Sequence, residues 1–548
     1  MQRDRLSYFI LPIAAFIAVL PLIVKGCSCG HDFTFHLLNW LEAARNYSHG
    51  NLHPQWASTP AFNAGEPRFI FYPPLSWTIG ALLTLLFPFT WTPILYTWLA
   101  LSAAGLTFHH LARTFTSPAA ALLGATFYLL NPYMLFTAYE RTAYAELLAA
   151  AWVPLLLLTI LRHRITVPRI ALPIAILWLT NAPAAVMSSY TLALLALIRL
   201  FTNRATSPQK ARLHLAGAAI AGTLLGLGLS AFYLIPAAYE RRYVQINMAI
   251  LPGMRISDNF LFHHTGSTPD ELLHDAVLHS ASIIAVLLLT VTLVTLLRLR
   301  TTATTSNRAL LLPLALLTLT IALLLTPISA PLWNHLPELR FLQFPWRLLA
   351  ILAAVLCLSM ALTLNGLRLT QTTTAALSLA LAAALVYPSY EAFHQPCDEA
   401  DSPAGRANLF HSHTGDEPTD EYTPITADND SLSHLNPPYW LTPNPSAPGP
   451  TDTASGPAPT LFTLNSPTSQ YLILNLRDYP TWHITRNQSP IPRTQFLPRE
   501  DGLIVIHIPP GRSTVRITAE LLPDQILGIA ISVFSLLIFI ITSIRRTP

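Results

Sequence analysis

Charge is what this chain has least of: Asp, Glu, Lys and Arg make up 11% of its 548 residues, against about 25% in soluble globular domains. With 52% of residues apolar, that shortfall excludes an ordinary water-soluble domain. Apolar runs of about 17 to 25 residues recur, each able to cross a hydrocarbon core of about 30 Å, so the chain reads as a polytopic membrane protein. Cysteine is scarce as well. Cys27 and Cys29 form a lone C-x-C with no second pair at zinc-site spacing, and Cys357 lies in an apolar run. A disulfide through Cys397 requires an oxidising space, which the sequence does not decide. Neither a P-loop nor a dinucleotide-binding glycine fingerprint is present. No repeat of about 20 to 50 residues argues for a solenoid. The apolar runs are nearly empty of ionisable residues, whereas transporters and flippases keep substrate and coupling-ion groups near the midplane.

What is present is ordered along the chain. The first run, "LSYFILPIAAFIAVLPLIV", follows the basic "MQRDR" and is succeeded by no small-x-small cleavage site, so it reads as an uncleaved anchor entering from the cytoplasm. Further spans fall at 91–111, 117–131, 145–162, 167–180, 184–200, 213–235, 276–297, 309–326, 345–366, 372–388 and 525–544. Arg concentrates in "RHRITVPR", "RLFTNRATSPQKAR", "RLRTTATTSNR", "NGLRLT" and the terminal "RRTP", which the positive-inside rule places in the cytoplasm. The run "LSWTIGALLTLLFPF" breaks the alternation. Read as a re-entrant or tilted helix it leaves about twelve spans; read as a crossing it makes thirteen and violates the charge rule.

Three regions follow: a helical membrane domain over 1–390 with a first external loop at 26–74, an extracytoplasmic region over 391–523, and a membrane anchor over 524–548. From Glu391 the composition turns acidic and Pro-rich. After it come "TLFTLN", "QYLILNLR", "TWHITR", "GLIVIHI" and "STVRITAEL", short β-branched segments between turn signals, which predict a small β-sandwich.

The chemistry-bearing stretch is "GHDFTFHLLNWLEAARNYSHGN". On a helix, Asp32, His36, Asn39 and Ala43 share one stripe, and Phe33, Leu37, Trp40, Leu41 and Ala44 another. Such a helix is expected to lie along the outer membrane surface with its apolar side in the interface; the plainer alternative makes Asp32 only a capping carboxylate. The Pro-rich, aromatic continuation returns directly to the membrane, as a loop roofing a cavity would.

Together "GHDFTFH", "PQW", "FNAGEPRFIFYPPLSW", "NPYMLFTAYERTAYAE", "LQFPWR", "YPTWHITRNQ" and "GLIVIHIPPGRSTVRI" resemble the YfhO-like bacterial membrane proteins, a branch of the GT-C glycosyltransferase superfamily. The resemblance implies a GT-C-like helical bundle with an extracytoplasmic β-domain in the bacterial inner membrane. It also implies transfer of a sugar from a polyprenyl-phosphate donor to an envelope glycan, lipid or protein acceptor. It puts Asp32 at the place of the catalytic carboxylate, with His36 beside it. A carboxylate can take the proton of an attacking hydroxyl as the bond to phosphate breaks. Arg68, Arg141 and Arg347 are candidates for the donor phosphate, since a guanidinium holds two phosphate oxygens in a fork; the plainer reading has Arg68 and Arg347 snorkel to headgroups. His31, Tyr72, Glu140 and Glu146 complete the candidate substrate-binding set. Glu140 and Arg141 are also candidates for a structural ion pair, Tyr72 and Trp77 for belt aromatics. His274 and Asp275 approach a span at the outer face, a candidate entry for the acceptor, though a solvated loop explains them as well. No cofactor is required; His31 and His36 beside Asp32 leave a divalent metal open. Nucleic acid is not an expected partner. The rival functions are a transporter or flippase of envelope lipids and a non-catalytic envelope scaffold.

Overall fold

The computed structural model describes residues 5–162, 164–202, 208–302, 305–432, 435–451 and 454–544; the terminal "RRTP" and part of the basic segment at 199–212 lie outside them. Among the described residues, ten helices are long and apolar enough to cross a membrane. Of the twelve spans read from the sequence, the remaining two correspond to the shorter apolar helix Val167–Thr180 and to the 22-residue Thr92–Arg113, which are not among those ten. At a rise of about 1.5 Å per residue, a helix as long as the latter reaches across the hydrocarbon core. It runs beside the first helix, where Gly105 lies against Leu11 and Trp98 Nε1 donates to the Pro12 carbonyl at 3.0 Å.

The connecting segments sort onto two faces. On one, Arg162 donates to Thr114, Arg199 to the Arg162 carbonyl and Asn307 to the Phe115 carbonyl, while Asn365 accepts from the Ser117 amide. These turns carry much of the Arg. On the other, Lys25 at the end of the first helix pairs with Glu391 at 2.8 Å, and the β-strands gather there. The helix Pro74–Leu86 begins and ends on this second face: Thr78 bonds Tyr47, and Phe89 packs with Leu38, Leu41 and Phe410. That placement is the one the re-entrant reading expects.

The helix after Asp32 corrects the sequence reading. The apolar side of Phe33–Ser48 packs on protein rather than facing an open interface, and both of its stripes are buried, His36 and Asn39 as fully as Leu37 and Trp40. Pro74–Leu86 covers one side and Phe410, from the helix Pro403–His411, the other. Trp40 stacks on Tyr96 at 5.1 Å and abuts Gly80, where a Cβ would run into the indole. Gly80→Ala is expected to cost about 1–3 kcal/mol by overpacking, read as a lower unfolding midpoint in nanodiscs.

The C-terminal region is a sandwich of two antiparallel sheets, β1-β3-β6 and β2-β7-β4-β5. Its strands are β1 (Tyr439–Thr442), β2 (Leu461–Ser466), β3 (Gln470–Arg477), β4 (Trp482–Arg486), β5 (Ser489–Ile491), β6 (Leu503–Ile508) and β7 (Gly511–Ala519). Leu472, Leu474, Ile504 and Ile506 meet Leu464, Ile484, Val515 and Ile517 between the sheets. The alternate residues Ile473, Leu503 and Val505 face outward and are covered by Ala61 and Ala64 of the first external loop. That double cover explains why β3 and β6 read as continuous apolar runs.

The covering loop holds three consecutive non-glycine residues in the left-handed region, Ala61, Phe62 and Asn63 (φ 55°, 51° and 69°). Such conformations cost about 1–3 kcal/mol each and persist where their surroundings over-determine them. Here Asn475 Nδ2 donates to the Phe62 carbonyl at 3.1 Å, the Arg477 amide to the Ala64 carbonyl at 3.0 Å, and the Phe62 amide to the Asp416 carbonyl at 2.9 Å.

The sandwich is fastened to the bundle through Glu240. Tyr479 Oη donates to its Oε2 at 2.7 Å and Gln525 Nε2 to its Oε1 at 2.8 Å. Burial, with Asp524 beside it, pushes the Glu240 carboxyl up from 4.5 to about 7. The folded protein therefore holds a proton that the unfolded chain has released, and stability falls as pH rises from about 4.5 to about 7. Glu240→Gln is expected to flatten that slope in unfolding midpoints measured across pH.

Candidate active site

Helix breaks place the charges. Asn131 caps the helix Pro132–Tyr139, its side chain accepting from the Tyr133 and Met134 amides. The chain breaks again at 140–143, where Thr142 takes a positive φ of 47°, and resumes as the helix Tyr144–Ala149. This break turns the Arg141 carbonyl to the first loop, where it accepts from the Asp32 amide at 3.0 Å and from Thr142 Oγ1 at 2.7 Å. Gly30 packs so closely on the Glu140 carbonyl that no Cβ fits.

The side chains form a run of alternating charge. Arg141 Nη2 stands 3.7 Å from Asp32 Oδ2, and Arg141 Nη1 donates to Glu146 Oε2 at 2.6 Å. Arg347 Nε lies 3.3 Å from the same oxygen, and Tyr133 Oη donates to Glu146 Oε1 at 2.5 Å. Arg141 also stacks over Trp346 at 4.7 Å. Glu146 and Arg141 are buried, with side chains 4% and 5% exposed, whereas the Asp32 carboxylate is 43% exposed. The run ends at its water-facing member.

Around Asp32 stand His36 and Tyr72, rings 5.9 Å apart, with Tyr144 5.3 Å from His36. Burial pushes the His36 imidazole down to about 4 against the pull of Asp32, so it is neutral at physiological pH. Burial first, and Asp32 second, raise the Tyr72 phenol well above its usual value. His31 is exposed beside Asp32, within electrostatic reach of His274.

The structure thus brings together Asp32, His36, Tyr72, Arg141, Glu146 and Arg347, with His31 at the rim. Arg68 and Glu140 are engaged elsewhere. Arg68 donates from Nε to Glu66 (2.6 Å), from Nη1 to Asn39 (3.1 Å) and from Nη2 to Thr419 (2.7 Å), and it is buried among these partners. Glu140 is bonded to Gln395, and burial raises its carboxyl; Arg141 pairs with Glu146 instead. Arg347, with its side chain 11% exposed, turns inward to Glu146 and donates to the Leu342 carbonyl at 2.8 Å. Asp32 occupies the N-cap position of Phe33–Ser48 without a side-chain capping hydrogen bond. Trp77 is a core residue, its Nε1 donating to the Tyr72 carbonyl at 3.2 Å, and no belt aromatic. Asp275 binds His264 and the Thr265 amide, while His274 reaches the Asp258 carbonyl at 3.5 Å.

Two recesses stand out, and neither lies beside Asp32. A recess of about 210 Å³ lined by Tyr8, His109, His110, Arg113 and Thr114 lies on the Arg-rich face. A gap of about 10 Å³ between His53, Phe69, Phe232 and Tyr233 has room for a water. Beside Asp32 the rings of Phe35, His36, Tyr72 and Tyr144 pack on one another and close the space. No group of three or more His, Cys, Asp or Glu side chains at metal-binding spacing occurs among the described residues.

Sequence reasoning passed over Tyr133 and Trp346. Each lay inside a motif already singled out, and the signal was a ring capable of partnering an adjacent membrane-edge charge.

Helices, site and sandwich together define a polytopic integral membrane protein with a polar cluster at the membrane edge. Residues 69–394, more than half of the chain, match the family described as 6-pyruvoyl-tetrahydropterin synthase related domain, membrane protein, and the chain belongs to that family. Among curated proteins none matches it in sequence. Solved structures that are loosely similar include AftD and ArnT. The arabinofuranosyltransferase AftD from Mycobacteria shares 15% identity over 69% of this chain and 26% of its own, with a TM-score of 0.42. ArnT from Cupriavidus metallidurans, bound to undecaprenyl phosphate, shares 12% over 75% of this chain and 88% of its own, with a TM-score of 0.27. The chain therefore spans about a quarter of the mycobacterial enzyme's length.

Proposed function

We propose that this protein is a GT-C-type membrane glycosyltransferase of the YfhO-like branch, moving a sugar from a polyprenyl-phosphate donor to an envelope acceptor. The observation that carries the reading is the half-exposed Asp32 carboxylate at the end of a buried charge run. Asp32 takes the proton of the acceptor hydroxyl as the glycosyl–phosphate bond breaks. Arg141 Nη2 faces it without a hydrogen bond closer than 3.7 Å, and Arg347 Nη2 makes no hydrogen bond among the described residues. These two donors receive the departing phosphate. Glu146 holds both guanidiniums in place. The donor headgroup enters where Asp32 is exposed and opens the packing of Tyr72 and Tyr144. No step runs through a metal.

The β-domain face is the extracytoplasmic side of the bacterial inner membrane in this reading. The Arg-bearing turns lie on the opposite face, and a disulfide, Cys29–Cys397, lies on this one. Among the named site residues, the charges sit near span ends, Glu146 in Tyr144–Leu161 and Arg347 in Pro345–Gly366, which favours chemistry at the membrane edge over passage through it. The test is reconstitution with radiolabelled polyprenyl-phosphate sugars and envelope fractions, wild type against Asp32→Asn. Transfer by the wild type alone supports the reading; transfer by both, or by neither across the donor panel, overturns it.

A further inference from the structure

The first loop is held from two sides within a few residues of Asp32. On one side Cys29 is disulfide-bonded to Cys397, 368 residues later, and its amide donates to the Gln395 carbonyl at 2.9 Å. On the other, the Asp32 amide donates to the Arg141 carbonyl at 3.0 Å, and Gly30 rests on Glu140. Ser28 joins the two sides: its hydroxyl donates to the Tyr139 carbonyl at 2.6 Å and accepts from the Gln395 amide at 2.9 Å. The segment 394–397 is thus wedged along 27–29, and the disulfide is its only covalent hold on the loop. Asp32 itself contributes little to its own placement, since its side chain makes neither a capping hydrogen bond nor a close ion pair.

We propose that the Cys29–Cys397 disulfide, with Ser28, is the positioning device that aims the Asp32 carboxylate beside Arg141, so that the candidate site is competent only when the disulfide is closed. The proposal rests on the reading of Asp32 as general base. Cys29 and Cys397 are positioning residues and touch no reacting atom. With the bond open, segment 394–397 can leave 27–29 and the loop keeps only its contacts to 139–141. A shift of about 1 Å at a reacting group can cost about 10²-fold in rate. The aromatic and Arg-lined part of the site does not depend on the bond.

The experiment uses the full-length protein in nanodiscs. Dithiothreitol opens the disulfide by thiol–disulfide exchange: it supplies two electrons and two protons, leaves as its cyclic disulfide, and yields the Cys29 and Cys397 thiols. Alkylation and mass measurement confirm the opening. Reduction is expected to lower kcat by about 10- to 100-fold with the donor KM within about twofold, and to speed hydrogen exchange of the 28–32 amides, all reversed by reoxidation. The Cys29→Ser/Cys397→Ser double variant should match the reduced protein. An unchanged kcat after complete opening, unchanged exchange at 28–32, or a kcat that falls only as folded protein is lost overturns the proposal. Should the oxidised protein transfer no sugar, the functional reading fails, and exchange alone still decides whether the disulfide holds the segment.

Discussion

Asp32→Asn is expected to slow sugar transfer by about 10²- to 10⁴-fold, the usual contribution of a positioned general base, while the unfolding midpoint stays where it was. Asparagine keeps the shape of the side chain and cannot take a proton from a hydroxyl. Stability is spared for reasons visible in the contacts. The side chain is 43% exposed and stands 3.7 Å from Arg141, whose own buried partner is Glu146 at 2.6 Å. Pairs open to solvent contribute about 0–1 kcal/mol. The backbone bond from residue 32 to the Arg141 carbonyl survives the exchange. A rate loss accompanied by an equal loss of folded protein would count against Asp32 as the base.

The second large effect belongs to stability. Glu146→Leu leaves Arg141 and Arg347 buried without their shared carboxylate, and breaking a buried ion pair from one side costs about 3–5 kcal/mol. Tyr133 Oη loses its acceptor as well, which adds about 1–3 kcal/mol of unmet hydrogen bonding. The variant should unfold at markedly lower temperature or denaturant concentration. Replacing the whole triad by Arg141→Met, Glu146→Leu and Arg347→Met should recover most of that loss, because apolar groups of similar volume avoid the desolvation penalty. The triple variant should nonetheless be inactive. Equal stability of the single variant and wild type would show that Glu146 does not hold the two cations.

Much of this was readable in the chain because the bilayer makes its demands locally. Span positions follow from apolar length, and the returning helix Pro74–Leu86 from the placement of Arg. Five of seven strands showed as β-branched runs. β1 and β5 did not, since β1 is four residues flanked by prolines and β5 is three residues that include one. The charges of the site were conspicuous, as ionisable groups at a membrane edge are costly. Their pairing was not. Whether Arg141 meets Glu140 or Glu146 depends on the turn at 140–143, and Thr142 in a left-handed conformation is nothing a sequence pattern suggests. Phe33–Ser48 was misread for a different reason: its polar stripe is met by Arg68 and its outer side by Phe410, partners that periodicity cannot supply. Arg68, a candidate for the donor phosphate, is instead bound to Glu66, two residues earlier.

The residues that cover Ile473 and Val505 are Ala61 and Ala64, so the sandwich finishes its own surface with chain made long before it. A ribosome adding about 5–20 residues per second needs on the order of tens of seconds to pass from one to the other. Through that interval the early loop lacks the β3 residues Asn475 and Arg477 that hold its bent backbone. Its folding is consequently tied to strands made about four hundred residues later, and a nascent chain stopped short of β3 and β6 leaves Ala61 and Ala64 without their cover.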